Sequence, residues 1–158
     1  MSNSGEPRIT SAPIALDDCG MARASDLLGD RWTLLILREA FYGVSRFEDL
    51  RADLDAPRAA LSGRLDLLVE EGVLEKRPYQ EEKSRVRHEY RLSEKGRELA
   101  LVLIALMQWG DKHLRDDRPP LDIVDAKTRE KLTVTLATAK GRVVRLQDVA
   151  PVLRKRNS

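Results

Sequence analysis

The stretch from Asp55 to Leu74 most constrains the fold, because it has the pattern of one short helix with both ends marked. Asp55 is predicted to cap the N-terminus by accepting backbone N–H bonds, and Pro57 falls in the first turn, where a missing N–H costs nothing. Gly72 suits the left-handed position just past the last turn. One narrow apolar stripe recurs at helical spacing: Leu61, Leu65, Leu68 and Val69.

The opposite face of this predicted helix is small. It carries Ala59, Gly63, Asp66 and Glu70, flanked by Arg58, Ser62 and Arg64. A narrow helix that is basic near its N-terminal end fits a DNA major groove. An ordinary amphipathic surface helix explains the same pattern, so this segment alone leaves both interpretations open.

Three short helices are predicted upstream, over residues 19–28, 31–41 and 46–54. Their predicted N-caps are Asp17 or Asp18, then Asp30, then Ser45. The second helix is apolar almost all round, which favours a place at the centre of the core. The third helix is separated from the Asp55–Leu74 helix by a very short link, and two such helices make a helix-turn-helix.

A two-stranded hairpin, or wing, is predicted after Gly72, from residues 73–79 and 86–92. Its tip carries Lys83, and Arg85 and Arg87 would point to the same side of a strand. A solvated hairpin with ordinary surface charge is the alternative. Three glutamates in this region, Glu81, Glu82 and Glu89, cancel part of the positive charge.

The longest predicted helix runs from Glu94 to about Arg115, with Ser93 as its cap. One apolar stripe contains Leu99, Val102, Leu103, Leu106 and Gly110, and a second set contains Leu101, Ile104, Ala105 and Met107. A terminal helix buries only one such stripe on its own small domain. The second stripe predicts a homodimer, unless the tail beyond residue 118 folds back over it.

Pro119 and Pro120 predict a boundary at the end of that helix. The segments 121–124, 132–136 and 142–146 are candidate short strands, with a turn at Lys140-Gly141. The expected organisation is a flexible N-terminal arm over residues 1–15, a main domain over 16–118, and a small β appendage with a basic tail over 119–158. So small an appendage should pack on the main domain or on a dimer partner.

Composition limits the compartment and the partners. The chain has 158 residues, 42% hydrophobic, and its 34% charged residues nearly balance at a net charge of +2. Binding to DNA therefore requires a local concentration of basic groups. A single cysteine, Cys19, excludes an intramolecular disulfide, and no apolar run reaches the roughly 20 residues of a membrane span. We expect a cytoplasmic protein without a membrane partner.

Catalysis has little support in the sequence. The two histidines, His88 and His113, lie in different predicted elements, and no glycine-rich phosphate loop, Ser/His/Asp set or metal-ligand cluster is visible. The sequence predicts no enzyme, no cofactor and no metal site.

Several motifs together resemble the HxlR-type family of bacterial winged-helix transcription regulators. They are Cys19, Asp26–Leu37, Gly43 with Arg46–Leu50, Leu61–Leu65, Glu71–Leu74, Glu89–Gly96 and Gln108–Gly110. The resemblance covers roughly residues 17 to 115. It implies a mostly α fold with a small β wing (α+β), and a homodimeric repressor or activator that binds a palindromic operator.

The resemblance, with the basic pattern above, gives the candidate site. The expected DNA contacts are Arg46, Arg58, Ala59, Ser62, Arg64, Lys83, Arg85 and Arg87. Because some family members sense oxidants through an early cysteine, Cys19 is a candidate redox sensor, and a small-molecule effector is an expected partner. A winged-helix module for protein–protein contact, without an operator, is the alternative function.

Overall fold

The computed structural model describes residues 12–82 and 84–154 and confirms a mostly helical winged-helix fold. Its helices are α1 (Gly20–Leu28), α2 (Arg31–Phe41), α3 (Phe47–Leu54), α4 (Arg58–Glu70), α5 (Glu94–Glu98) and α6 (Ala100–His113). Its strands are β1 (Leu74–Tyr79), β2 (Arg87–Leu92), β3 (Leu136–Ala137) and β4 (Val143–Val144), with single 3-10 turns at Leu16–Asp18 and Leu146–Asp148. Both strand pairs are antiparallel hairpins, β1 with β2 and β3 with β4.

The core forms where α2 and α4 cross, as the apolar pattern of these two segments predicts. The most fully buried side chains are Ile36 and Leu37 of α2, Leu50 of α3, Leu61, Leu65 and Leu68 of α4, and Val73 and Leu74 beside the hairpin. Burial of side chains of this size contributes about 1.5–3 kcal/mol each. The same burial sets which face of α4 points outward.

Three predicted helix signals are confirmed. The Asp30 carboxylate accepts hydrogen bonds from the backbone N–H groups of Trp32 (2.9 Å) and Thr33 (3.2 Å) at the start of α2. Ser93 Oγ accepts from Gly96 N at 3.0 Å at the start of α5. Gly72 has φ 69°, and Val73 N donates to Leu68 O at 2.8 Å, which is the six-to-one bond of a Schellman closure.

The predicted cap at Asp55 was wrong. Asp55 has φ 48° and ends α3, where its N–H and that of Ala56 bond back to carbonyls of the last turn. Aspartate tolerates this left-handed conformation better than most residues. The N-cap of α4 is Pro57, which supplies no side-chain hydrogen bond.

Two further cap predictions were wrong. Ser45 does not cap α3, whose N-cap is Arg46, because the Ser45 hydroxyl donates to Glu89 Oε2 on β2 at 3.3 Å. The N-cap of α1 is Cys19, without a side-chain bond, and the aspartates before it lie in the 3-10 turn. At Ser45 a contact with a distant strand outweighs the local capping preference, whereas before α1 a local 3-10 turn takes up the two aspartates.

The predicted long helix is interrupted at Leu99, between α5 and α6. Helix α6 has no fully buried residue. Its side chains Leu101 (67% exposed) and Trp109 (56% exposed) face away from the core, with Val102 and Leu106 also exposed. None of the described helices has the length and apolarity to cross a membrane.

The segment after α6 runs back along it in part. Gln108 Nε2 donates to Leu132 O and Gln108 Oε1 accepts from Val134 N, both at 2.9 Å. The β3–β4 hairpin beyond it has a turn with Gly141 at φ 81° and exposed strand residues, so it encloses no core of its own. Of the candidate strand over residues 121–124, only an isolated bridge between Val124 and Lys131 forms. The tail therefore covers one side of α6 and leaves Leu101 and Trp109 exposed.

Candidate nucleic-acid interface

Helices α3 and α4 meet at a short turn in which Ala56 is buried, and the outer face of α4 points to solvent. On that face Ala59, Gly63, Asp66 and Glu70 are exposed, while Ser62 is half-buried on its flank. A Cβ added to Gly63 would meet no atom within 4 Å. The backbone of α4 is thus open to close approach by a partner surface.

Arg58, the first residue of α4, is 64% exposed but is held by α3. Its Nη2 donates to Glu48 Oε1 at 2.5 Å, and its guanidinium lies 5.0 Å from the centroid of the Phe47 ring. Glu48 also accepts from Arg51 Nε at 3.0 Å. The bonds from Arg58 and Arg51 hold the pKa of the Glu48 carboxyl below its ordinary value.

Arg46, just before α3, connects the helix-turn-helix to the wing. Its Nη1 donates to Glu81 Oε1 at 2.6 Å and its guanidinium lies 4.4 Å from the centroid of the Tyr79 ring. The bond to Glu81 raises the pKa of Arg46 above its usual value. An isolated antiparallel bridge pairs Arg46 with Glu89 of β2. Arg46 therefore sets the position of the hairpin relative to α3.

Arg64 lies on the opposite flank of α4, beside the N-terminus of α2. Its Nε lies 3.1 Å from Asp30 Oδ1, and its Nη2 donates to Asp30 Oδ2 at 3.2 Å. The Asp30 carboxylate therefore both caps α2 and pairs with the Arg64 guanidinium. Arg64 is separated by the width of α4 from the flank that carries Arg58 and Ser62.

The wing residues fall into two groups. Lys83 lies outside the described residues. Arg85, just before β2, and Arg87, its first residue, are exposed and have no ion pair to residues 12–82 or 84–154. By contrast, Arg77 on β1 is paired with Glu75 at 2.5 Å, and Arg91 on β2 with Glu89 at 2.7 Å. Among the described wing residues, Arg85 and Arg87 carry positive charge without an ion pair, as does Lys76 on β1, whose Nζ lies 5.7 Å from the centroid of the Tyr90 ring.

Cys19 is half-buried at the N-terminal end of α1, where its carbonyl accepts from Arg23 N. A cleft of about 390 Å³ lies between α1, the end of α4 and the start of α5. Its apolar lining includes Leu27, Leu67 and Leu99. Within the described part of the chain, no group of His, Cys, Asp and Glu side chains is placed to hold a metal ion.

The sequence predicted which arginines are candidate DNA contacts but not which side chains they pair with. No sequence pattern paired Glu48 and the Phe47 ring with Arg58, or Glu81 with Arg46, because each arginine lies on a different element from its partner. One signal was available: Glu48 and Arg51 are three residues apart on one helix, a spacing typical of an ion pair.

Comparison with protein-family models identifies the family of the chain. A model described as HxlR-like helix-turn-helix matches residues 27–118. The chain belongs to this family. This confirms the family that the motifs resemble, and the curated relatives that the chain matches are named as HTH-type transcriptional regulators.

Proteins similar to this chain support the family assignment. The uncharacterized HTH-type transcriptional regulator Rv3095 of Mycobacterium tuberculosis is 51% identical over 104 residues, which is 65% of this chain and 65% of the relative. The match thus spans just under two thirds of that relative's length. The structure of the transcriptional regulator YodB from Bacillus subtilis, in its reduced form, is 27% identical with a TM-score of 0.53, covering 63% of this chain and 97% of that one.

A third comparison extends into the appendage. The crystal structure of PA1607, a proposed transcription factor, is 32% identical with a TM-score of 0.75, covering 87% of this chain and 95% of that one. Residues 1–118 make up about three quarters of the chain, so this match must include part of the segment beyond residue 118. The fold shared with PA1607 is larger than the winged helix alone.

Proposed function

We propose that this protein is a homodimeric repressor that binds a palindromic operator. Helix α4 would enter the major groove, and the β1–β2 hairpin would lie across an adjacent minor groove. The observation that carries the proposal is the outward face of α4, which is small at Ala59 and Gly63 and begins with an exposed arginine. Such a face allows the helix backbone to approach base edges closely.

The proposed contacts lie in three places: before α3, along α4 and in the wing. They are Arg46, Arg58, Ala59, Ser62, Arg64, Lys83, Arg85 and Arg87. Arg58, Ala59 and Ser62 lie at the N-terminal half of α4, which is the part of a recognition helix that contacts bases. The wing arginines supply phosphate contacts, which fix register without sequence information. The guanidinium of Arg64 lies against Asp30 on the other flank of α4. We therefore assign Arg64 a contact with a phosphate at the edge of the interface and not with a base.

The exposed face of α6 supports the homodimer. Leu101, Val102, Leu106 and Trp109 are large, apolar and uncovered by the described tail. A contiguous face of this kind is typical of a protein–protein interface, and a two-fold dimer is the commonest way to bury it. Two-fold symmetry would present two equivalent α4 helices, and a palindrome with half-sites about one DNA turn apart has the matching symmetry.

Regulation by an effector is part of the proposal. The cleft beside α1 has the volume of a small-molecule site and contacts both Leu67 of α4 and Leu27 of α1. Cys19 immediately precedes α1, which lines this cleft, so oxidation of Cys19 would act on α1 as well. If Cys19 is a sensor, Cys19→Ser should abolish any change in DNA binding on treatment with diamide or hydrogen peroxide.

The operator is tested by selecting bound duplexes from a pool of random 40-base-pair DNA and sequencing them. The expected result is an enriched palindrome whose half-site centres are about one helical turn apart. Titration of the selected duplex with salt should give log K falling linearly with log salt concentration. A binding constant indifferent to salt would contradict phosphate neutralisation.

The alternative function, a protein–protein module without an operator, gives a different result in the same experiment. It predicts no enriched sequence and no shift of DNA at physiological salt. That outcome would remove the operator from the proposal while leaving the family assignment unchanged.

A further inference from the structure

Arg58 is held from two sides by the first turn of α3. The Phe47 ring lies under its guanidinium at 5.0 Å, and Glu48 Oε1 accepts its Nη2 at 2.5 Å. Because Phe47 and Glu48 are consecutive residues of one helix, both contacts come from the same rigid element. A long arginine side chain held in this way has already lost much of its rotamer freedom before any partner arrives.

Glu48 is itself held in place. Its second oxygen, Oε2, accepts from Arg51 Nε at 3.0 Å, one turn further along α3. The two arginines keep the pKa of Glu48 below its ordinary value, so the carboxylate is ionised at neutral pH. If Arg58 also bound DNA, the ion pair with Arg51 would still offset the negative charge of Glu48.

The contact with Glu48 uses only part of the guanidinium. One N–H group of Arg58 is bonded to Oε1, whereas a guanidinium carries five in a planar fork. Two of these N–H groups match the O6 and N7 acceptors of a guanine in the major groove. Arg58 is the first residue of α4, the end of a recognition helix that lies nearest the base edges.

We propose that Glu48 is a specificity-determining residue, which positions Arg58 to bind a guanine in each half-site of the operator. The inference rests on the proposed function, because it requires α4 to lie in the major groove. Glu48 would have opposite effects on two kinds of DNA. By holding Arg58 in place, Glu48 favours binding to a sequence that contains the guanine. Its negative charge repels the phosphates of every sequence.

The test is Glu48→Gln in the full chain, assayed on the preferred duplex from the random pool and on a shuffled duplex of the same composition. Glutamine keeps the size of the side chain but removes its charge. The expected result is about tenfold weaker binding to the preferred duplex, in the range of a lost bidentate contact. Binding to the shuffled duplex should be unchanged or tighter. A melting curve confirms that the variant is folded.

The matched control is Asp148→Asn. It also removes one negative charge from an exposed ion pair, that of Arg145 with Asp148 at 2.9 Å, but it lies in the appendage. The control should leave the ratio of the two affinities unchanged. If Glu48→Gln changes both affinities by the same factor, the inference is overturned, because Glu48 then acts only through charge or fold.

A second selection separates failure of the inference from failure of the proposed function. Glu48→Gln and Arg58→Ala should both lose a guanine preference at the same position of each half-site and keep the others. If wild type enriches a sequence and Glu48→Gln enriches it equally, only the inference fails. If wild type enriches no sequence, the proposed function fails as well. Should Glu48→Gln not fold, Phe47→Leu removes the stacked ring and carries the same expectation.

Discussion

Asp30 caps α2 and at the same time binds Arg64 of α4, with the Arg64 Nε 3.1 Å from Asp30 Oδ1. One carboxylate thus orders the start of a core helix and holds the flank of the helix that we assign to DNA. The orientation of α4 depends on this contact as well as on the buried leucines beneath it.

The first prediction concerns this pair. Asp30→Ala should lower the free energy of unfolding by about 1 kcal/mol, because α2 loses its N-cap bonds. Arg64→Ala should lower it by less than about 1 kcal/mol, since the arginine side chain is 39% exposed and solvent screens the pair. Urea denaturation measures both values. Asp66→Ala, on the exposed face of α4, is the control and should change stability by no more than about 0.5 kcal/mol.

The second prediction concerns the wing. Arg85→Ala and Arg87→Ala should each reduce the slope of log K against log salt by about one, because each removes a proposed phosphate contact. Both arginines lack an ion pair with the described residues, so neither substitution leaves a carboxylate newly unpaired there. Arg77→Ala on β1, whose guanidinium is paired with Glu75, is the control and should leave the slope unchanged. Equal effects of all three substitutions would argue against specific wing contacts.

The third prediction concerns the exposed face of α6. Leu101→Glu should shift the protein from dimer to monomer in sedimentation equilibrium, because burying a carboxylate in an apolar interface is strongly unfavourable. Val86→Glu, at an exposed apolar residue of the wing, is the matched control and should remain dimeric. A wild-type protein that sediments as a monomer at micromolar concentration would contradict the proposed dimer.

The fourth prediction concerns the junction of the wing with α5. Gly96 is buried, and a Cβ there would collide with the carbonyl oxygen of Val73 and lie 3.1 Å from a methyl group of Leu92. Gly96→Ala should therefore lower stability by about 1–3 kcal/mol. Gly63→Ala, where the Cβ meets open space, should instead raise it by roughly 0.5–1 kcal/mol through higher helix propensity. Thermal unfolding distinguishes the two signs.

Local patterns in the sequence predicted most of the secondary structure and the family. The caps at Asp30 and Ser93 and the left-handed Gly72 depend on residues a few positions away. The hairpin formed close to its predicted bounds because its strands adjoin in sequence. The predicted capping role of Ser45 failed because its hydroxyl bonds to Glu89 on a distant strand, and that of Asp55 failed because this residue ends α3 in a left-handed conformation.

By itself the sequence determined the elements of this protein, the buried stripe of α4 and the positions of its arginines, because helical spacing and turn chemistry act over a few residues. Only the tertiary structure decided which carboxylate each arginine meets. Arg58 is 10 residues from Glu48, Arg64 is 34 from Asp30, and Arg46 is 35 from Glu81. No local spacing rule selects such partners. They are set by the packing of α2, α3, α4 and the hairpin, which decides which arginines are held in place and which have no ion pair among the described residues.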